Sequence, residues 1–464
     1  SHPAGTHFMP TTPHAHRTGL TRREAVQVGY SGLLGLGMAG AATAQSAASR
    51  KPNSVIMVFL TGAASQLETF DPKPDNPAEI RGEFGTVATP VAGVRLCDQL
   101  PLLAARANKY ALVRTLAHTD NNHTAATHHI ITGALQPGVR FDKPLSRDDY
   151  PVYGAGLSYH RPRTDGVPTA VALPTFLAEG PLVWPGQHGG FLGPKYDPFQ
   201  VTQDPNLASF RVDNLRPDGI DVDQLRDRAA LLDQVNGQRR TLAASAEGRR
   251  LSDQQQHAIT VLTSGKVAGA FEIDREPGRT RDRYGRHAFG QSLLLARRLV
   301  EAGVAFITLD LSYHTASGTW DTHGDNIPPY GGIRKGLTPL LPLFDHLVTT
   351  LVADLEQRGL LDQTLVLAMG EFGRTPQLGT QDSTDGRNHW DRVMSMLLAG
   401  GGLRHGRVIG STEKDGGQIQ ERPVSPGDLA ATIYRHFGVP MDSTYTDATG
   451  LHGFVLCAGG RTRR

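Results

Sequence analysis

From residue 54 onward the chain alternates short apolar runs with longer stretches of helical periodicity. Ser-Val-Ile-Met-Val-Phe-Leu at 54–60 and Thr-Leu-Val-Leu-Ala-Met at 364–369 carry no charge and no polar alternation. That pattern belongs to strands buried on both faces of a sheet. Residues 110–116, 167–173, 304–309 and 394–399 read as further strands. Helical stretches are expected at 98–108, 288–302, about 336–358 and 428–437, and a short one from 125 stops at Gly133. Strands that alternate with helices predict an α/β fold, a mainly parallel sheet sandwiched by helices.

Two stretches depart from this rhythm. Residues 175–220 are rich in Gly, Pro and aromatics, including Trp184, His188, Phe191 and Tyr196, and read as an ordered loop over the rim of the sheet. Residues 222–264 are charged and helical, and read as an inserted pair of helices. Lid and insertion together span about 175–282 of one domain running from 45 to 464.

The first 44 residues carry an address. Thr-Arg-Arg-Glu at 21–24 precedes a weakly apolar, Gly-rich run and then Ala-Gly-Ala-Ala-Thr-Ala, ending at Ala44. This is the layout of a twin-arginine signal peptide, read by the twin-arginine translocation machinery. The expected location is periplasmic or extracellular. No later run approaches the ~18 apolar residues expected of a membrane span. A formal net charge of +2, with no basic cluster beyond the leader, leaves no footprint for nucleic acid. Cys97 and Cys457 are the only cysteines, too few for a Cys-based metal motif, and their spacing does not decide whether they pair.

The chemistry gathers where apolar runs end. Glu68 and Asp71 follow the first strand, Asp120 and His123 the second, Asp321 and His323 the 304–309 strand, and Glu371 and His389 the 364–369 strand. In open α/β sheets ligands bind in the crevice beyond the strand ends. Oxygen and imidazole donors from separate strands are how such a crevice holds a divalent metal: Zn, Ca, Mg or Mn. In an extended Asp-x-His, Asp321 and His323 point the same way. The plainer alternative is that such polar residues cap helices and bind backbone amides.

Several motifs together resemble one family. They are Thr-Phe-Asp71-Pro-Lys-Pro, Asn122-His123-Thr124 through Thr132-Gly133, Gly193-Pro-Lys-Tyr-Asp-Pro-Phe199, Trp320-Asp-Thr-His-Gly324, Gly370-Glu-Phe-Gly-Arg-Thr-Pro376, Asn388-His-Trp390 and Pro426-Gly-Asp428. The chain resembles the alkaline phosphatase/sulfatase superfamily, and within it an exported bacterial family of unknown function, the one numbered fifteen hundred and one. The resemblance covers most of residues 50–455 and implies an alkaline phosphatase-like fold with a metal-dependent site. It implies a hydrolase of phosphate or sulfate esters acting on a small-molecule or carbohydrate ester. The alternative is a pseudoenzyme or ligand-binding protein that keeps the fold and the metal without the reaction.

Roles carry over residue by residue. Counting back from Thr132-Gly133 puts His123 at the sulfatase nucleophile's place, with Thr124 beside it. Thr124 would attack the ester, while His123 is open as a ligand instead. Asp321 and His323 resemble a metal-site pair, and His389 the distal His. Where sulfatases have Asp-His-Gly, this chain has Glu371-Phe372-Gly373, so Glu371 is a ligand candidate and one His is missing. The Asp expected after the first strand is Thr61, leaving Glu68 or Asp71 to replace it from the loop. Arg374 and Asn388 are expected on the equatorial oxygens of the ester, although Arg374 could pair with Glu371 instead. Trp320 and Trp390 are read as sealing the site. His128 and His129 are read as packing or surface residues.

Overall fold

In the computed structural model the described residues are 53–138, 145–210, 267–313, 320–325, 330–446 and 453–455. The leader, the 222–264 helical pair, His314 and Cys457 lie outside them.

The main sheet has eight strands: β1 Ser54–Phe59, β2 Tyr110–Leu116, β3 Ala170–Leu173, β4 Phe199–Gln200, β5 Phe306–Asp310, β6 Thr364–Met369, β7 Met394–Gly400 and β8 Arg407–Ile409. Their spatial order is β8-β2-β7-β6-β1-β5-β3-β4. All neighbours pair in parallel except β7, which runs antiparallel to both β6 and β2. The expected mainly parallel sheet is therefore present, with strand limits within about three residues of those read from the apolar runs.

Side chains alternate along β1 between two cores. Ile56 and Val58 join Val366 and Ala368 of β6 in one core, while Val55, Met57 and Phe59 join Leu365, Leu367 and Met369 in the other. This period-two division explains why the strand sequences show no polar face. The second face is covered by α1 His123–Thr132, α2 Tyr153–His160 and α5 Pro426–His436. The first is covered by α3 Ala288–Glu301 and α4 Leu341–Gln357.

Local sequence sets the helix ends. The Asn122 side chain caps α1 by accepting from the Thr124 N–H, and Gly133 closes it in the left-handed region. In α5, Ser425 and Asp428 form a reciprocal capping box with Pro426 in the first turn. α4 buries Phe344, Leu347, Val348, Leu351 and Leu355, one stripe at helical spacing. Against the expectation that no later run would suit a bilayer, Ile333–Gln357 is long and apolar enough to cross one. Here it is a core helix with its lead-in turn, and the apolar stripe packs on the sheet.

The antiparallel β7 matters for the site. Its start, rather than its end, lies at the carboxyl edge of β2 and β6, so residues 388–391 arrive at the edge reached by the loops after β1, β2, β5 and β6.

Candidate metal centre

Four side chains converge at that edge. His123 opens α1, Asp321 and His323 follow β5, and His389 precedes β7. One ligand atom from each lies within 4.8 Å of all the others. The Nε2 atoms of His323 and His389 are 2.9 Å apart. Asp321 reaches His123 Nε2 at 3.1 Å through Oδ2 and His323 Nε2 at 3.2 Å through Oδ1. A close approach of two loops makes this possible. A Cβ on Gly386 would sit 1.7 Å from the His323 carbonyl oxygen, so only glycine lets the 386–389 segment pack against 321–324.

Each imidazole is oriented by a partner on its other nitrogen. His389 Nδ1–H donates to the Asn121 carbonyl at 2.6 Å. His323 Nδ1–H donates to Asn388 Oδ1 at 2.7 Å, and the Asn388 amide is fixed in that sense because its NH₂ donates to Thr380 Oγ1. His123 Nδ1–H donates to Glu371 Oε1 at 2.6 Å, and the same oxygen accepts from the Gly62 N–H. Burial, followed by the charges of His123 and Arg374, pushes His389 down to about 2, so its Nε2 is a bare lone pair. Two Nε2 atoms at 2.9 Å need a proton or a metal cation between them. Ligands at about 2.1 Å from one tetrahedral ion lie about 3.4 Å apart, a spacing these rings reach by parting about half an ångström, and imidazoles with their second nitrogen hydrogen-bonded are the usual metal donors. The donor set fits a divalent cation.

Charges around the cluster are fixed. Asp321 lies 2.5 Å from Arg374 Nη2. Burial opposes its ionisation, but Arg374 and His123 outweigh it and hold the carboxyl well below the usual range. Burial also works against charging His123, yet Asp321 and Glu371 win and raise it to about 9. Trp184 stacks on the His123 ring at 5.1 Å, Phe372 touches it at 4.9 Å, and the Tyr330 ring meets His323 edge-on at 5.1 Å.

Other sequence candidates fall in different places. Glu371 is the orienting partner of His123 and stands outside the four-residue set. Arg374 pairs with Asp321, where Glu371 was the partner considered. Its Nε–H, one Nη1–H and the other Nη2–H donate to the carbonyls of Ala63, Arg387 and Gly62, so the loops take most of the donors of this fully buried guanidinium. Asn388 is likewise occupied by His323 and Thr380. Thr124 Oγ1–H donates to the capping Asn122 Oδ1 at 2.6 Å.

Glu68 and Asp71 do not join the cluster. Glu68 forms a buried ion pair with Arg387, and Asp71 is held by Lys73, Arg114 and Thr412. Thr61, standing where an Asp was expected, donates to Asp310 Oδ1 at 2.6 Å. Trp320 and Trp390 donate to the carbonyls of Leu311 and Gly417, structural duties in both cases. The tryptophan against a ligand is Trp184, from the loop read as a lid. His188 of the same loop accepts from the Gly190 N–H, and His128 donates to the Ala134 carbonyl and accepts from the Tyr150 N–H.

A second group, His118, Asp120 and His129, also has metal-like spacing. Within it, His129 Nδ1 and Asp120 Oδ2 pair with each other at 2.9 Å, and both nitrogens of His118 are engaged. His118 Nε2–H donates to the Glu371 carbonyl and its Nδ1 accepts from the Asp120 N–H.

The cluster makes a pH prediction. Metal must displace the His123 proton, so apparent affinity should rise about tenfold per unit toward pH 9 and then level off. Stability of the metal-free protein should move oppositely. His123 titrates near 6.5 when unfolded and near 9 when folded, so its contribution is complete below about 6.5 and gone above about 9. Chelator competition and melting curves across this window check both slopes. A pH-independent affinity would contradict the assignment.

Fold and cluster together describe an α/β protein with an imidazole-rich cluster, spaced as metal ligands are, at the carboxyl edge of a mainly parallel sheet. The chain belongs to the DUF1501 family, described as a protein of unknown function, whose model matches residues 52–455. No curated protein matches the sequence. Among solved structures it is similar to the PsFucS1 sulfatase from Pseudoalteromonas sp., at 14% identity over 90% of this chain and 72% of that one, with a TM-score of 0.38. It is similar to the phosphonate monoester hydrolase SpPMH from Silicibacter pomeroyi, at 14% identity, 89% and 78% coverage and a TM-score of 0.38. A third is the alkaline phosphatase from the Antarctic bacterium TAB5, at 11% identity, 84% and 99% coverage and a TM-score of 0.36. These neighbours are members of the alkaline phosphatase/sulfatase superfamily.

Proposed function

We propose that the protein is a metal-dependent hydrolase of phosphate or sulfate esters, its metal held by His123, Asp321, His323 and His389. The observation that carries the metal is the pair of Nε2 atoms 2.9 Å apart, each on a ring whose Nδ1–H is already donated. Three imidazoles and one carboxylate favour zinc over calcium or magnesium. A divalent cation there would supply positive charge that neutralises ester oxygens and acidifies a nearby hydroxyl.

The chain's own residues do the rest. Glu371 fixes the His123 ring, Arg374 holds Asp321 ionised, and Asn388 and the Asn121 carbonyl set the faces of His323 and His389. Trp184 roofs His123 and excludes water on that side. Thr124, the nucleophile in this reading, would have to turn its hydroxyl away from Asn122.

A second reading, a metal-binding protein without the reaction, draws on that same bond and on the hydrogen bonds that already hold Arg374 and Asn388. Activity on p-nitrophenyl phosphate and sulfate, measured with zinc, separates the two. The hydrolase reading expects turnover that Thr124→Ala reduces at least 100-fold while metal content is unchanged. Absence of turnover with full metal occupancy supports the second reading. Activity untouched in Thr124→Ala removes Thr124 as nucleophile.

A further inference from the structure

A cavity of about 200 Å³ opens between α5 and the sheet, near the β8 edge. It shares no lining residue with the His/Asp cluster. Its floor is apolar: Val113 of β2, Met396 and Leu398 of β7, and Leu429 of α5. Three arginines also line it: Arg407, Arg422 and Arg435. All three are exposed, and among the described residues none forms an ion pair or donates a side-chain hydrogen bond. Most other arginines around the molecule behave differently, for example Arg283, Arg297, Arg298 and Arg358, which share Glu276, Glu301 and Asp354.

Two further details belong to this cavity. Arg422 sits at φ 56, a left-handed conformation unfavourable to a long side chain, and Thr115 Oγ1–H holds it there through the Arg422 carbonyl at 2.7 Å. The one carboxylate in the lining, Asp428, spends Oδ2 on the Ser425 cap, while its buried Oδ1 has no hydrogen-bond partner. Charge at the lining is thus three guanidiniums against one carboxylate already serving a helix end.

We propose that this cavity binds a single-chain anionic amphiphile of the fatty-carboxylate class. Its hydrocarbon lies on Val113, Met396, Leu398 and Leu429, and its carboxylate is held by Arg407, Arg422 and Arg435. An apolar floor gains from removing hydrocarbon from water. Guanidinium pairs with carboxylate in a planar, two-point geometry that an ammonium cannot offer. An uncharged chain would leave the arginines to water and gain nothing from their charge, and a small anion would leave the floor wet. Only a ligand with both parts answers the whole lining.

The test is calorimetric titration of the full-length protein with sodium decanoate below its aggregation concentration, alongside decanol, acetate and decyl phosphate. Expected is one decanoate per chain, with decanol and acetate at least tenfold weaker. In Arg407→Gln/Arg435→Gln, decanoate should weaken at least tenfold and decanol should not change. Both side chains are exposed and unpaired, so folding, checked by melting temperature, should be preserved. Leu398→Ala, which thins the floor and keeps the charges, should weaken decanoate and decanol alike. Absence of saturable binding, many-site uptake, equal affinity for decanol, or decanoate binding unchanged in the arginine variant would overturn the proposal. Tighter binding of decyl phosphate than decanoate would overturn the carboxylate class. A dimer by light scattering that the arginine variant dissolves would show the cavity to be an interface between copies.

Discussion

His389→Ala should abolish most divalent-metal binding, and His323→Ala should do the same. Each removes an imidazole whose Nε2 faces the other at 2.9 Å and whose Nδ1–H is fixed by a neighbour. Losing an orienting partner of a ligand typically costs 10–100-fold in affinity, and losing the ligand itself should exceed that. With zinc at about 100 times its dissociation constant, the wild-type protein gains about 2.7 kcal/mol from binding. In a chain of this size that is a melting shift of about 3 °C, and both variants should lack it. The double variant should lose little more than either single one, because the residues act on one centre. Metal content by elemental analysis and melting curves with and without zinc check this. Full zinc occupancy in both single variants would contradict it.

Glu68→Gln should separate stability from metal. Glu68 and Arg387 are almost completely buried, joined at 2.7 Å, with Arg387 also donating to the carbonyls of Ile80, Thr375 and Pro376. Removing the carboxylate charge leaves a guanidinium uncompensated away from water, a loss of about 3–5 kcal/mol. Zinc binding should be unchanged, since no ligand is touched. Denaturant unfolding gives the first quantity and metal titration the second. A variant of normal stability that had lost its metal would return Glu68 to the ligand set.

These two variants also mark how far sequence reasoning reaches. β1 and β6 were legible because strands buried on both faces need unbroken apolar runs, and polar loops bracket them. The direction of β7 was not, since an apolar run carries no mark of its polarity. α2 was hidden for a different reason. Its Tyr-Gly-Ala-Gly-Leu-Ser-Tyr-His, outside every expected element, carries two glycines that weaken a helix, but a Cβ on Gly154 would meet the Ala170 Cβ at 2.5 Å, and one on Gly156 the Tyr445 hydroxyl at 2.1 Å. Close packing, invisible in one sequence, outweighs helix propensity there.

At the site, Asp321 and His323 could be paired from their spacing, because alternate residues of an extended segment share a side. Glu68 and Asp71 carry the same chemistry at an equivalent strand end. What distinguishes them is a partner: Arg387 lies 319 residues from Glu68 in sequence, and only folding reveals the pair. Arg374 escaped for the same reason, its carbonyl partners Gly62 and Ala63 being more than 300 residues away. Trp184 gave no local signal beyond its place in an aromatic loop.

The most direct measurement of the central claim is an anomalous-scattering map from zinc-loaded crystals. The account predicts one peak at the carboxyl edge of the sheet, about 2.0–2.2 Å from Nε2 of His123, His323 and His389, with Asp321 as the oxygen ligand. No peak there, or one at His118, Asp120 and His129 or beside Glu68 and Asp71, would contradict it.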